Sequence, residues 1–540
     1  MKKLLFFLLC FSLSYGALYD LQTLKQKENS IAKDYYIHKL LEKKQISQNE
    51  AKNLSEHIFR YQGKIKNALE SLVPPKPSYN PKYAKCFDYT SKTILKADNA
   101  CQLYRVNYSL YFVSKLDDST RTKLANKFKN HPETSLILNA FNQKNPLNLL
   151  IDNNNTALFL KTWTFLDSPD ILLKKGYINK LAKEKGFTEF MRPIVIKRVQ
   201  PNLLLSFLQI SPNNVSGEAA FYLGINALIF KQEPKAVLFF NKAYKSYEKQ
   251  YDKDNALFWI YQITQKKSDL ELLAKSSSLN IYSIWAKPLQ KQPLSNFSSL
   301  KAKNKTHEFD MNDPFLWQSL SKEIRQANKE KLKTMADTFN AHNTLPIYAF
   351  ILERANDFKE NYFIMPYYEH IKEYDVKRQA LILAIARQES RFIPTAVSTS
   401  YALGMMQFMP FLANHIAQNE LKLEKFEQDD MFEPKTAYFF ANHHLDYLES
   451  KLGSPVLISY AYNGGIGFTN RMLDKGLFQA GKYEPFLSME LVPYTESRIY
   501  AKKVLANYIV YLHLLNDNTS ILSIFESLIQ NNQATNTASK

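Results

Sequence analysis

The stretch VKRQALILAIARQESRFIPTAVSTSYALGMMQFMP, residues 376–410, turns from apolar to polar within one helical turn. Leu381-Ile382-Leu383-Ala384-Ile385-Ala386 would be apolar on every face of a helix, and such a helix is buried. Arg387 to Arg391 are polar, and Pro394, lacking an amide hydrogen, closes the segment. Glu389 is the only carboxylate of the stretch, so it sits where a buried helix ends. Partial desolvation there raises a carboxyl pKa, and a carboxyl kept protonated near neutrality is what general acid catalysis at a glycosidic oxygen requires. Taken alone, Glu389 reads more readily as an ordinary surface acid or one paired with Arg387 or Arg391.

Outward from this point the chain is helical. Its 540 residues exceed what one core supports, so several domains or a repeat array are expected. From 17 to about 70 apolar residues recur at three- and four-residue spacing. The prolines of VPPKPSYNPKY then interrupt the helix, and helical segments resume near Cys101, joined by short polar turns such as KNHPET and SPNNVSG. In AAFYLGINALIFKQEPKAVLFFNKAY, Leu223-Gly224, Ala227, Ala236, Phe240 and Ala243 fall at tetratricopeptide spacing, which lets paired helices approach closely. The fold class is therefore mainly α, with an α-superhelical solenoid of helical hairpins over residues 17–355. Trp163, Phe258, Trp259, Tyr282 and Trp285 are expected in its core rather than as ligand platforms.

The first residues carry the marks of export. Lys2 and Lys3 precede an apolar run from Leu4 to Leu13, and Ser14-Tyr15-Gly16 sets small residues before Ala17. This is the pattern of a signal peptide at 1–16, too short to span a bilayer, so a periplasmic location is expected. Cys10 follows the bulky Leu9, unlike a lipidation site. Removing the leader leaves Cys86 and Cys101, a candidate disulfide in an oxidising compartment or two free thiols. The net charge of +19 is scattered along helices with no aromatic-interleaved basic stripe, which argues against nucleic acid. It suits a polyanion such as a cell-wall polymer or an anionic membrane surface, giving peripheral membrane or cell-wall association.

Further motifs follow in order. ARQES and STSYALGMMQFMP, then SYAYNGGIG, then PYTESRIYAKKVL, with IMPYYEHI leading in, together resemble the catalytic signature of the soluble lytic murein transglycosylases, enzymes with a goose-lysozyme-like domain that cleave bacterial peptidoglycan. The resemblance implies that Glu389 is the single catalytic acid. It implies sugar-binding roles for Ser398, Met406 and Gln407 and a Tyr462-Asn463 pair facing the acid, with Glu496 and Tyr500 as the distal Glu and Tyr. It implies peptidoglycan glycan strands as the partner and no cofactor.

Two departures stand out. Tyr401 occupies a position where the family has Gly, and Met405 replaces a Leu. In EPKTAYFFANHHLDYL, Ala437, Ala441 and His444 stand where the family has Asn, Gly and Tyr. His443 and His444 do not read as metal ligands, because neighbours on a helix point apart and no further ligand has matching spacing.

The expected organisation is a signal peptide at 1–16, the solenoid at 17–355, a lysozyme-like transglycosylase domain at 356–515 and a C-terminal tail at 516–540. The expected reaction uses Glu389 as acid and then as base on the muramic 6-hydroxyl, leaving a 1,6-anhydro ring. The alternatives are a hydrolytic muramidase of the same fold and a non-catalytic wall-binding scaffold.

Overall fold

A computed structural model of the chain describes residues 19–74 and 80–538, with side chains through 530. The leader expected at 1–16 lies outside the described residues. The architecture is mainly α, as the periodicity predicts. Among the described residues, strand is confined to the parallel pair Ser298–Ser299 and Tyr362–Phe363 and a few isolated bridges. No described helix is long and apolar enough to cross a membrane.

Contacts divide the chain into two compact units. The first gathers three separated stretches, 1–75, 295–467 and 500–524; the second holds 76–294, 468–499 and 525–540.

The first unit contains the helix Val376–Ser390, whose residues Arg378 to Arg387 are all buried, as its uniform apolarity requires. Asp375 caps its start, accepting the Arg378 amide at 3.0 Å. Arg391 ends it in the left-handed conformation at φ 58°. The N-terminal helix Ile31–Glu42 belongs to the same unit and is buried along most of its length. Its Asp34 accepts the amides of Phe59 and Arg60, both at 2.8 Å. Tyr35 and Tyr36 donate to the two oxygens of Asp429 at 2.9 and 3.1 Å, and Lys39 pairs with Asp429 at 3.1 Å.

The second unit is built of helical hairpins. Gly217–Ile229 and Glu233–Ser246 pack on each other through the small residues picked out by spacing. A Cβ on Gly224 would meet the Phe240 ring at 2.7 Å, so only glycine permits this approach. Ala227, Ala236, Phe240 and Ala243 are fully buried. Phe258, Trp259 and Tyr282 are likewise wholly buried, Trp163 nearly so, and Trp285 packs edge-on to Phe258; these aromatics are core, as expected. Cys86 and Cys101 are joined, their Cα atoms 4.9 Å apart. Much of the segment expected as a tail is the helix Ile521–Ala538, anchored by the buried Ile521, Ile524, Phe525 and Leu528.

Candidate active site

Glu389 is half-buried in the last turn of Val376–Ser390. The Tyr500 hydroxyl donates to its Oε1 at 2.6 Å. Burial, then the charge of Glu389, pushes the Tyr500 phenol well above its ordinary pKa, so the hydroxyl remains a donor at any physiological pH. Tyr462, in the helix Pro455–Gly464, is raised for the same two reasons in the same order. Its hydroxyl donates to the Met406 carbonyl at 2.9 Å, and its ring meets Phe408 edge-on at 6.1 Å. Glu389, Tyr462 and Tyr500, scattered over more than a hundred residues of sequence, thus share one electrostatic neighbourhood.

The flanking arginines are engaged elsewhere. Arg387 and Arg391 both bind Glu353, at 2.6 and 2.7 Å. Arg387 also donates to Asn507 at 2.9 Å and lies over the Phe363 ring. Desolvation, reinforced by the Arg391 charge, lowers the Arg387 pKa to about 10. Glu353 is thus a carboxylate partner that the two arginines share. Glu353 is the residue that sequence reasoning missed. Its signal was a lone acid within the apolar helix Leu345–Ala355, outside every recognised motif.

The loop after Glu389 is a small hydrogen-bonded fold of its own. The Ser398 Oγ accepts the amides of Ser400 and Ala402 at 3.2 and 2.9 Å. Gln407 Nε2 donates to the carbonyls of Ala396 and Gly404 at 3.1 and 2.7 Å, which leaves its Oε1 as the part a ligand can use. Both side chains therefore shape the loop. Met406, expected to line the cleft, has its side chain wholly buried; its carbonyl is what the site uses. Gly404 has φ +73°, and a Cβ there would lie 2.0 Å from the Met431 carbonyl oxygen, so no other residue fits. Ser390 Oγ ties the helix end to this loop through the Met405 carbonyl at 2.8 Å.

Tyr401, the bulky replacement for glycine, keeps the left-handed backbone at φ 66°. Its ring is 5% exposed and packs 5.1 Å from His38 and 6.1 Å from Tyr35. Arg60 adds a bond to the Thr399 carbonyl at 3.3 Å. The N-terminal helix thus holds this loop through Tyr401.

The second departure also has a physical account. Ala437 and Ala441 are buried in Pro434–Leu452, and His444 fills the third position, its ring 6.0 Å from Phe408 and 5.9 Å from Tyr462. Burial lowers the His444 pKa to about 4. His443 points elsewhere, to Glu420 at 2.6 Å. Asn463 is half-buried beside Tyr462. Glu496 is exposed in the first turn of Thr495–Leu514, and among the described residues it makes no hydrogen bond or ion pair.

Residues 367–483 match the family model of the Transglycosylase SLT domain, a span that includes Glu389, the loop after it and Tyr462-Asn463. Over 213 residues the chain is 29% identical to the soluble lytic murein transglycosylase of Salmonella typhimurium, covering 38% of this chain and 32% of that protein. It is 31% identical over 145 residues to the membrane-bound lytic murein transglycosylase C of Serratia proteamaculans, covering 23% and 40% respectively. These matches span less than half of either relative's length. The X-ray structure of an inactive mutant of the lytic transglycosylase Slt from Pseudomonas aeruginosa is similar with a TM-score of 0.52 at 16% identity. It covers 93% of this chain and 84% of that one, a likeness of fold.

Proposed function

We propose that the protein is an exported peptidoglycan lytic transglycosylase cleaving the β-1,4 bond between N-acetylmuramic acid and N-acetylglucosamine. The observation that carries this reading is Glu389 held by the Tyr500 hydroxyl at the end of a buried helix, with both neighbouring arginines drawn off to Glu353. Paired-carboxylate glycosidases place a second acid across the sugar. Neither 387–410 nor 459–467 contains another Asp or Glu.

One carboxyl suffices if the substrate supplies the nucleophile. Glu389 protonates the glycosidic oxygen, and the N-acetylglucosamine side departs as the alcohol. The resulting carboxylate takes the proton of the muramic 6-hydroxyl while that oxygen bonds to C1, closing the 1,6-anhydro ring and returning Glu389 to its acid form. The intramolecular attack has the effective molarity of a tethered group. Tyr500 orients the carboxyl throughout. Ser398, Gln407, Tyr462 and Asn463 hold the sugar, with Met406 contributing its carbonyl as a hinge for Tyr462. Glu496 is proposed to contribute further along the cleft.

The rest of the chain fits a wall enzyme. The +19 charge suits acidic stem peptides and an anionic surface, the Cys86–Cys101 pairing suits the periplasm, and the hairpins of 17–355 are proposed to form the superhelix. The test is digestion of purified sacculi with mass analysis of the products, wild type beside Glu389→Gln. Anhydromuramic ends released by wild type alone support the reading. Reducing muramic ends would make the protein a hydrolytic muramidase instead. Equal behaviour of the two proteins would leave a wall-binding scaffold.

A further inference from the structure

The second unit contains a hollow of about 330 Å³ between Pro81–Asp88 and the helices Asn99–Tyr108 and Leu110–Ser114. At its centre the Arg105 guanidinium lies 4.5 Å from the Phe87 ring and 4.2 Å from the Phe112 ring. Its in-plane N–H edge has the fork geometry that matches a carboxylate. No hydrogen bond reaches its buried Nε. Desolvation lowers the Arg105 pKa, and the ionisable groups that offset it are the phenols of Tyr108 and Tyr104 rather than a carboxylate. A partly buried cation without an anion is costly, and a bound carboxylate offsets that cost.

The rest of the lining has the same character. Lys115 adds a second cation, standing over the Tyr111 ring at 5.2 Å, and no Asp or Glu lines the hollow. Tyr108 and Tyr111 are 47% and 63% exposed; Tyr108 is braced by Phe87 and Tyr104, and both rings present part of their area at the surface. Thr90 and Ser91 bring hydroxyls. Aromatic walls with a few convergent polar groups are the usual make-up of a small-ligand site, and the volume is at the small end of the range of about 300–1,000 Å³ for such sites. The Cys86–Cys101 link joins the two walls, next to Phe87 on one and a helical turn from Arg105 on the other, and so holds the clamp in place.

We propose that this hollow is a second binding site, remote in sequence from Glu389, for a carboxylate-bearing amino sugar of the muramyl-peptide class. The carboxylate sits on Arg105 and Lys115 and the sugar ring on Tyr108 and Tyr111. Such a site would retain the enzyme on wall fragments independently of catalysis. The choice of ligand rests on the function proposed above; the site itself rests on its own geometry.

The test is amide hydrogen exchange of the full chain with N-acetylmuramyl dipeptide, which has no scissile bond between sugars, run alongside calorimetric titration. Inorganic phosphate and chitotriose at equal concentration are the other arms. The expected result is protection of amides within 87–115 by the muramyl dipeptide, with less from either control. Tyr111→Ala, at an exposed position, and Arg105→Gln are each expected to weaken that binding about tenfold. Absence of protection, equal protection by phosphate alone, or unchanged binding in both variants would overturn the proposal. Sacculus digestion by the same preparations separates the two readings. Digestion without binding at 87–115 removes this site and leaves the enzyme; binding without digestion removes the enzyme and leaves the site.

Discussion

Tyr401→Gly puts glycine where the resemblance to the transglycosylases expects it, and the structure says it harms this protein. The substitution removes a nearly buried ring from between His38 and Tyr35, a loss of about 3–5 kcal/mol for a large aromatic. It relieves a left-handed backbone at φ 66°, a gain of about 1–2 kcal/mol. Glycine's extra freedom in the unfolded chain costs about 0.5–1 kcal/mol. The balance is a destabilisation of about 3 kcal/mol, local to the loop. Amide exchange of residues 398–408 is the matching assay. If opening limits exchange at equilibrium, about 3 kcal/mol accelerates it about a hundredfold. Tyr401→Ala keeps the backbone cost and loses the ring, so it should be worse than glycine by roughly 0.5–1 kcal/mol. A glycine variant whose loop is protected as well as or better than wild type would refute the argument that Tyr401 anchors the loop to the N-terminal helix.

Tyr500→Phe removes the donor to Glu389. Sacculus digestion should fall, and the alkaline limb of its pH profile should move upward, because the carboxylate loses a stabilising bond while the acid form loses less. Glu353→Gln leaves the buried Arg387 without its counter-charge; unfolding experiments should show a loss of about 3–5 kcal/mol. For His444, burial holds the folded pKa near 4 against an ordinary 6.5, so the unfolded chain binds its proton first. Stability from this group is complete above about pH 6.5 and drains away as the pH falls toward 4. Thermal unfolding at pH 7 and 5 should therefore show a smaller drop in His444→Tyr than in wild type.

The parts legible in the sequence are those set by local pattern. The uniformly apolar run Leu381–Ala386 announced a buried helix, and the polarity change after it located Glu389. Gly224 and its alanines announced a tight helical pair because close approach leaves a mark on residue size. What stayed hidden depends on partners distant along the chain. Nothing near Glu353 indicates that it serves two arginines more than thirty residues later. Nothing in IAKDYYIHKLLE indicates that its tyrosines and lysine converge on Asp429. Nothing in the sequence around Met406 indicates that its carbonyl accepts the Tyr462 hydroxyl from fifty-six residues away.

The three-stretch composition of the first unit has a kinetic side. Tyr35 leaves the ribosome nearly four hundred residues ahead of Asp429, its hydrogen-bond partner at a separation of 394. Tyr500, which completes the site, comes later still. Throughout that interval the helix Ile31–Glu42, with Ile31, Tyr35, Tyr36, Ile37 and Leu40 destined for burial, exists without the surface it is made to cover. Closing loops of this length is slow, and exposed apolar helices are prone to association meanwhile. The second unit has its main body in 76–294 but is likewise joined by later stretches, 468–499 and 525–540. Loss of the stretch 500–524 should therefore be felt as far back as the N-terminal helix that shares its unit.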